Sequence, residues 1–312
     1  MVDIAGLHLK TPLIAASGTF GFGTEFADLV NLNQVGAICV KGLSLKPCAG
    51  NKGQRVVPTP SGLLNAIGLE NPGCTYFLEH ILPRLRTYEV PVIANIYGHS
   101  IEEYAAVARA LDVEGVHALE INISCPNVKQ GGLAFGTDPH MAASVVQSVK
   151  KNTHKPVITK LSPNVTDIVA LAKAVEEAGS DALSLINTLL GMKIDVHTRK
   201  PVLGNMVGGL SGPAIRPVAV RMVYQVAQQV SIPIIGMGGI ATAEDALEFM
   251  LAGASAVAVG TANLYQPDTI CMLTQALEDY CAREKISCLQ DIVGQALPQG
   301  KKSMPYFHKE QL

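Results

Sequence analysis

Eight short apolar runs, spread from one end of the chain to the other, constrain its fold more than any other feature. Between them lie stretches whose apolar residues recur at helical spacing. The predicted strands are residues 13–16, 36–40, 91–96, 116–123, 157–161, 182–186, 232–237 and 256–260. Eight strands that alternate with helices predict an α/β fold, a closed (β/α)8 barrel of the TIM type.

The helical stretches support this interpretation. The clearest of them are residues 101–111, 141–151, 165–178, 214–230 and 243–251. Several follow a capping residue such as Ser100, Asp138 or Thr242. The main alternative, an open doubly wound sheet, would have fewer strands and an early nucleotide-binding motif, but the glycines at positions 18, 21 and 23 do not have the Gly-x-Gly-x-x-Gly spacing.

A long segment, residues 43–88, separates the second and third predicted strands. Segments of this length inside a compact domain are usually functional. We expect residues 43–71 to fold over the mouth at the carboxyl ends of the strands, and a helix to begin near Gly73. Length alone allows one domain or two, but barrels of this size are commonly single, so we predict one domain over residues 1–312, frayed from about residue 299.

Composition narrows the class of protein. Only 16% of the residues are charged and 48% are hydrophobic, which indicates a large core. The 24 basic residues nearly balance the 26 acidic ones without a basic block, which argues against nucleic-acid binding. Neither a signal peptide nor a membrane-spanning run is evident. The seven cysteines are scattered without a Cys-x-x-Cys pair, so we expect no metal or iron–sulfur cluster on this chain, and a cytoplasmic location.

Cys125 is the candidate catalytic residue. It lies in the run Asn-Ile-Ser-Cys-Pro-Asn at 122–127, where the fourth predicted strand ends and a glycine-rich segment begins. Barrel enzymes keep their catalytic groups at strand ends, and a thiolate can accept a proton. The glycines that follow are typical of a lid. The alternative is a small buried apolar cysteine.

Polar residues and glycines stand at the carboxyl ends of the predicted strands. They are Ser17, Lys41, Asn95, Asn122, Lys160, Asn187, Gly238 and Gly260. In a barrel these ends converge, so the set predicts a polar pocket for a heteroaromatic, amide-rich or anionic ligand. Taken singly, the lysines could be surface residues and the asparagines could cap turns.

The last two strands end in glycines that precede helices, at residues 236–239 and at Gly260-Thr261. Backbone N–H groups at such helix starts bind phosphate, and barrels commonly hold a phosphate after their last two strands. The alternative is that these glycines serve only tight turns. Together with the lysines and asparagines at the strand ends, the predicted phosphate site favours a phosphorylated planar cofactor. Flavin mononucleotide (FMN) is the natural candidate.

Five motifs, taken in order, resemble the class 1 dihydroorotate dehydrogenase family. They occupy residues 9–23, 65–73, 122–127, 159–164 and 209–213, and the resemblance runs from about residue 4 to 290. The run Ala-Ser-Gly-Thr-Phe-Gly-Phe-Gly at 16–23 resembles the B subclass, a catalytic subunit that passes electrons to NAD through a partner subunit with FAD and a [2Fe–2S] cluster. The fumarate-using A subclass is the nearest competitor. One departure is Pro58, where the family usually has an acidic residue.

The resemblance implies that dihydroorotate is oxidised to orotate in pyrimidine biosynthesis, with the C5 proton taken by Cys125 and the C6 hydride by FMN. It also implies a homodimer within a heterotetramer. The implied substrate residues are Lys41, Asn65, Ala66, Ile67, Gly68, Leu69, Asn122, Asn127, Asn187 and Thr188. The implied FMN residues are Ser17, Lys41, Gly42, Asn95, Asn122, Lys160, Ile186, Gly212, Gly238, Gly239, Gly260 and Thr261.

A second hypothesis remains open from the residues themselves. A barrel with a phosphate site could bind a phosphorylated ligand for isomerase or lyase chemistry without redox. Bound flavin distinguishes this hypothesis from that of a dihydroorotate dehydrogenase, because only the dehydrogenase requires a flavin.

Overall fold

The computed structural model describes residues 2–123 and 135–298. Its centre is a closed barrel of eight parallel strands, in which each strand pairs with the next along the chain and the eighth pairs with the first. The strands are β1 (Leu13–Ala15), β2 (Ala37–Cys39), β3 (Val92–Ile96), β4 (Ala118–Asn122), β5 (Val157–Lys160), β6 (Ala182–Leu185), β7 (Ile234–Met237) and β8 (Ala256–Val259). The predicted (β/α)8 barrel is confirmed, and every strand agrees with its predicted bounds to within two residues.

Helices follow most of the strands and cover the barrel. The α-helices are Cys74–Tyr76, Leu82–Leu85, Ile101–Ala110, Pro139–Lys150, Ile168–Glu177, Arg216–Ala227, Ala243–Leu251, Ala262–Tyr265 and Thr269–Glu284. A π-helical turn spans Phe77–Ile81, and 3₁₀ turns span Thr24–Phe26, Leu32–Gln34, Pro213–Ile215 and Leu289–Ile292. The predicted caps are confirmed, since Ser100, Asp138 and Thr242 each accept a hydrogen bond from a backbone N–H of the first turn. No helix in the described ranges is long and apolar enough to cross a membrane.

The amino-terminal end of the barrel interior is apolar. An antiparallel hairpin, Val2–Ile4 paired with Leu7–Leu9, packs its buried side chains into a cluster with inward-facing barrel residues. That cluster includes Ala118, Ala182 and Ala256, the first residues of β4, β6 and β8. The hairpin therefore closes the amino-terminal end and leaves the carboxyl ends of the strands for polar groups.

A four-stranded antiparallel sheet, here called the cap sheet, is built from two distant parts of the chain. Its strands run in the order Leu189–Met192, Val207–Ser211, Gly62–Asn65, Val56–Thr59. Two of them come from the segment after β2 and two from the segment after β6. A separate short hairpin pairs Ile194–Asp195 with Lys200–Pro201. The helix expected near Gly73 begins at Cys74, while coverage of the mouth and a single domain over 1–312 stay predictions.

Candidate active site

Five buried polar side chains form a cluster inside the barrel, here called the floor cluster: Cys39, Asn95, Glu120, Lys160 and Ser184. Glu120 is its centre. The Oε1 atom of Glu120 accepts hydrogen bonds from Asn95 Nδ2 at 2.6 Å and from Cys39 Sγ at 3.2 Å, and Oε2 accepts one from Ser184 Oγ at 2.7 Å. The Lys160 ammonium lies 3.6 Å from Oε1. A buried carboxylate requires such partners, and here it has four.

Strand register explains why these side chains meet. Asn95 on β3 lies opposite Glu120 on β4, and Lys160 on β5 lies opposite Ser184 on β6. Burial by itself raises the pKa of the Glu120 carboxyl, but the charge of Lys160 and the hydrogen bonds from Ser184, Asn95 and Cys39 together hold that pKa below its ordinary value. Glu120 is therefore ionised at neutral pH and forms a buried ion pair with Lys160.

Asn95 presents an acceptor atom for which the described residues supply no partner. Its Nδ2 donates to Glu120, while its buried Oδ1 has no hydrogen bond within residues 2–123 and 135–298. Gly42 lies against this oxygen, because a Cβ atom added to Gly42 would approach Oδ1 to 2.9 Å. Buried polar atoms normally have partners, so an unpaired acceptor beside a glycine fits a bound ligand with an N–H group.

Amide side chains surround the carboxyl end of β4. Asn122, two residues beyond Glu120, lies opposite Lys160 in the strand register. Asn187 Nδ2 donates to Asn122 Oδ1 at 3.4 Å, and Asn187 Oδ1 accepts from the Thr188 N–H at 2.8 Å. The structure thus brings together four residues that the sequence predicts for the site: Asn122, Lys160, Asn187 and Thr188.

Glycines at the ends of β7 and of the cap sheet create a second part of the site. Gly212, Gly238 and Gly239 have φ of +95°, +132° and +79°, a backbone region that favours glycine. A cavity of about 420 Å³ is lined in part by Gly212, Gly239 and Thr261. The Thr261 hydroxyl donates to Ser211 Oγ at 2.8 Å. Hydroxyl groups and backbone N–H groups beside small residues suit a phosphate group.

The cap sheet brings Asn65 to Thr188. Asn65 Nδ2 donates to the carbonyl oxygen of Gly209 at 3.3 Å. A Cβ atom at Gly209 would come within 2.0 Å of Thr188 Oγ1, so only glycine allows Thr188 to approach the sheet this closely. Two predicted substrate residues from distant parts of the chain are thereby joined through one glycine.

Residues 66–69 are held by hydrogen bonds to their backbone. Asn51 donates its N–H to the Ile67 oxygen at 2.9 Å and its Nδ2 to the Ala66 oxygen at 3.0 Å. The Leu69 oxygen accepts from Asn71 Nδ2 at 2.8 Å and from the Tyr97 hydroxyl at 3.1 Å. Side chains and backbone groups of neighbouring residues therefore hold the backbone of this loop in place.

The other predicted site residues that the structure describes lie just after barrel strands. Ser17 Oγ donates to the Val40 oxygen at 2.8 Å, next to Lys41. A hydrogen bond from Arg55 and the charge of Lys41 lower the pKa of Glu70. Lys41 itself is half-buried. Ile186 is buried at the end of β6, and Gly260 ends β8 in ordinary contact with neighbouring side chains. Cys125 and Asn127 lie outside the described residues.

Comparison with known proteins decides the family. The family described as Dihydroorotate dehydrogenase matches residues 1–279. A protein of Geotalea daltonii named "Dihydroorotate dehydrogenase B (NAD(+)), catalytic subunit" is 57% identical over 294 residues, which is 94% of this chain and 96% of the relative. Relatives with the same name from Desulforudis audaxviator and Thermoanaerobacter pseudethanolicus are 57% and 53% identical, over 95% and 94% of this chain and 96% and 97% of their own lengths.

The chain belongs to the dihydroorotate dehydrogenase family. The family predicted from the sequence motifs is confirmed, and with it the predicted enzyme class, a dihydroorotate dehydrogenase. The relatives' names agree with the B subclass. The roles of single residues stay predictions, although the geometry gathers most of them at the carboxyl end of the barrel.

Sequence reasoning missed three residues of this region. Glu120 stands in an otherwise apolar run, and the available signal was its spacing, since a residue two positions before Asn122 faces the same side of a strand. Asn71 and Tyr97, both buried, hold the Leu69 backbone. Burial also raises the pKa of the Tyr97 hydroxyl, so it acts as a neutral hydrogen-bonding group. Among the residues that the structure describes, no group of three or more His, Cys, Asp or Glu side chains could hold a metal ion.

Proposed function

We propose that this chain is the catalytic subunit of a B-type dihydroorotate dehydrogenase, which oxidises (S)-dihydroorotate to orotate in pyrimidine biosynthesis. The observation that carries the proposal is the floor cluster, in which a buried lysine and an unpaired amide oxygen lie at the carboxyl end of a barrel of this family. A positive charge and a free acceptor are what a flavin ring requires, because the ring carries an N–H donor and gains negative charge on reduction.

One FMN per chain is the cofactor in this proposal. When bound, FMN supplies a hydride acceptor for C6 of dihydroorotate. Lys160 would stabilise the negative charge that the reduced ring carries, and Asn95 Oδ1 would accept a hydrogen bond from the ring. The glycines at 212, 238 and 239, with Thr261, would hold the phosphate. Ser17, Lys41, Gly42, Asn122, Ile186 and Gly260 complete the proposed set.

The amide groups suit the substrate. Dihydroorotate offers ring N–H donors, carbonyl acceptors and a carboxylate, and an asparagine side chain can donate and accept at once. The residues proposed to bind it are Asn65, Asn122, Asn127, Asn187 and Thr188, with Lys41 and the hydrogen-bonded backbone of residues 66–69. Cys125 is proposed, from the family motif, to take the C5 proton as a thiolate.

The proposed partner is an electron-transfer subunit that carries FAD and a [2Fe–2S] cluster and passes electrons to NAD. The relatives' names include the words "catalytic subunit", which supports a separate second subunit. A homodimer of this chain with two such partners and a cytoplasmic location complete the proposal.

An anaerobic visible spectrum of the purified chain tests the function. We expect a flavin band that dihydroorotate bleaches and that neither NAD nor fumarate restores while the partner is absent. Restoration by fumarate would assign the chain to the A subclass. A chain that retains no flavin would favour the barrel that binds a phosphorylated ligand without redox chemistry.

Gly239→Ala is expected to remove most of the bound FMN. The added methyl group would lie 2.7 Å from the Gly212 oxygen, at a φ of +79°. The backbone strain alone costs about 1–3 kcal/mol, and the contact displaces the glycine pair that is proposed to hold the phosphate. The measurement is the ratio of flavin to protein absorbance after gel filtration.

Gly6→Ala is the matched control for Gly239→Ala. Gly6 has a φ of +86° but no atom within 4 Å of an added methyl group, and it lies in the amino-terminal hairpin. The control shares the backbone strain and should keep its FMN. Equal FMN content in the two variants would contradict the proposed phosphate site.

Tyr97→Phe is expected to raise the KM for dihydroorotate about fivefold while kcat changes little. The hydroxyl donates to the Leu69 oxygen and accepts from Ser44 Oγ and Asn71 Nδ2. Loss of the bond to the loop costs about 1 kcal/mol. Steady-state kinetics with an artificial dye as the electron acceptor provide the measurement. Tyr76→Phe is the control, because Tyr76 is 50% exposed. If KM does not rise in Tyr97→Phe, the loop 66–69 does not depend on this hydroxyl.

A further inference from the structure

Glu120 connects the two groups of the floor cluster that are proposed to face the cofactor. Its Oε1 atom accepts from Asn95 Nδ2 at 2.6 Å and lies 3.6 Å from Lys160 Nζ. Ser184 holds the other oxygen at 2.7 Å. The Glu120 side chain is 4% exposed, so the carboxylate is fixed on both sides and shielded from solvent.

The orientation of the Asn95 amide follows from this contact. An asparagine amide can present either its oxygen or its nitrogen to a ligand. Because a carboxylate accepts only, the Nδ2 group must turn toward Glu120. The Oδ1 atom is then left beside Gly42 without a partner in the described part of the chain. A neutral donor at position 120 would permit the opposite orientation.

The charge of Glu120 acts on the same site. Reduction adds negative charge to a flavin ring, and Lys160 favours that charge while a carboxylate 3.6 Å from Lys160 opposes it. The pair as a whole is neutral. An electron carrier that must be reduced by one compound and oxidised by another benefits from such a balance. A buried lysine alone would raise the reduction potential of the flavin and so oppose its reoxidation.

We propose that Glu120 is a positioning residue for the flavin, which fixes Asn95 Oδ1 as an acceptor toward the ring and offsets the charge of Lys160. This inference rests on the proposed function. It assigns to Glu120 a part in the reactivity of the cofactor, in addition to its part in folding.

Two substitutions of Glu120 test separately its charge and its contact with Asn95. Glu120→Gln removes the charge. The Lys160 ammonium beside the Oε1 position keeps the amide oxygen of the variant on that side, where it still accepts from Asn95, while the amide N–H group faces Ser184 Oγ. We expect FMN to be retained and its reduction potential to rise by about 30 mV, a tenfold change for a two-electron couple. Glu120→Asp keeps the charge but withdraws the carboxylate from Asn95. We expect FMN affinity to fall about tenfold, as for the loss of one charged hydrogen bond.

The readouts are the FMN potential, measured by equilibrium titration against a redox dye, and the FMN dissociation constant, measured by flavin fluorescence. Thr159→Val is the matched control, because Thr159 is equally buried on β5 but bonds Ser180 and not Glu120. It should change neither value. A merely structural role for Glu120 would lower the thermal unfolding midpoint without moving the potential.

The outcomes are distinct. An unchanged potential in Glu120→Gln, or an unchanged FMN affinity in Glu120→Asp, overturns the inference while the proposed function stands. If Glu120→Gln does not fold, the affinity of Glu120→Asp decides alone. A wild-type chain that binds no FMN overturns the proposed function and this inference together.

Discussion

Cys125→Ser is expected to lower the rate at which dihydroorotate reduces the bound flavin by a factor of about 10³ at neutral pH. A positioned general base contributes about 10²–10⁴ to a rate. A thiol with an ordinary pKa of about 8.5 supplies a useful fraction of thiolate near neutrality, whereas a serine hydroxyl does not. Anaerobic stopped-flow absorbance at the flavin band measures the rate, and the deficit should shrink as the pH is raised.

The described residues on either side of the Cys125 segment lie close to Asn122. Ile123 follows Asn122 and is buried, as is Phe135, which contacts the Tyr104 ring with a centroid distance of 5.8 Å. The Tyr104 hydroxyl donates to the Asn122 carbonyl oxygen at 2.8 Å. Cys271→Ser, on the helix Thr269–Glu284, is the control, and dihydroorotate should reduce its flavin at the wild-type rate. If the flavin of Cys125→Ser is also reduced at the wild-type rate, Cys125 has no part in the mechanism.

Lys160→Ala is expected to lower the free energy of unfolding by about 3–5 kcal/mol, the cost of breaking a buried ion pair, and to lose FMN. The substitution leaves Glu120 buried with a negative charge and no cation. Urea unfolding followed by far-ultraviolet circular dichroism measures this change, since the chain has no tryptophan. The proteins are compared after their FMN has been removed, because FMN that binds only the wild type would add to the stability of the wild type alone.

A double variant separates stability from cofactor binding. Lys160→Met with Glu120→Gln replaces both charges by neutral side chains of similar size, so no unpaired buried charge is left, which is the source of the cost in Lys160→Ala. We expect it to unfold near the wild-type urea concentration while FMN binding stays weak. If Lys160→Ala alone is as stable as the wild type, the buried carboxylate does not depend on this lysine.

The barrel could be predicted from the sequence because each of its strands is a local signal. A buried strand is a short apolar run, and its neighbours in a parallel barrel are the adjacent runs along the chain. Polar residues such as Asn95, Asn122 and Lys160 could be selected for the same reason, since the position of a strand end requires no knowledge of distant contacts. Their convergence then follows from the fold.

The cap sheet and the role of Glu120 could not be obtained in this way. The strand Gly62–Asn65 pairs with Val207–Ser211, and no local pattern specifies a pairing between segments so far apart. Glu120 lies inside an apolar run, and its partners come from β2, β3, β5 and β6. Only the register of the assembled barrel shows that these side chains meet. The amino-terminal hairpin was missed because its strands have three residues each.

The cap sheet also imposes an order on the assembly of the site during synthesis. Asn65 and its partner Gly209 are 144 residues apart in the chain. At a translation rate of about 5–20 residues per second, roughly 7 to 30 seconds pass between the synthesis of the two strands. Throughout that interval the strand Gly62–Asn65 has an unpaired edge. A nascent chain that stops before Val207 would therefore hold most of the barrel strands but only part of the proposed substrate site, and its exposed edge would be a target for chaperones.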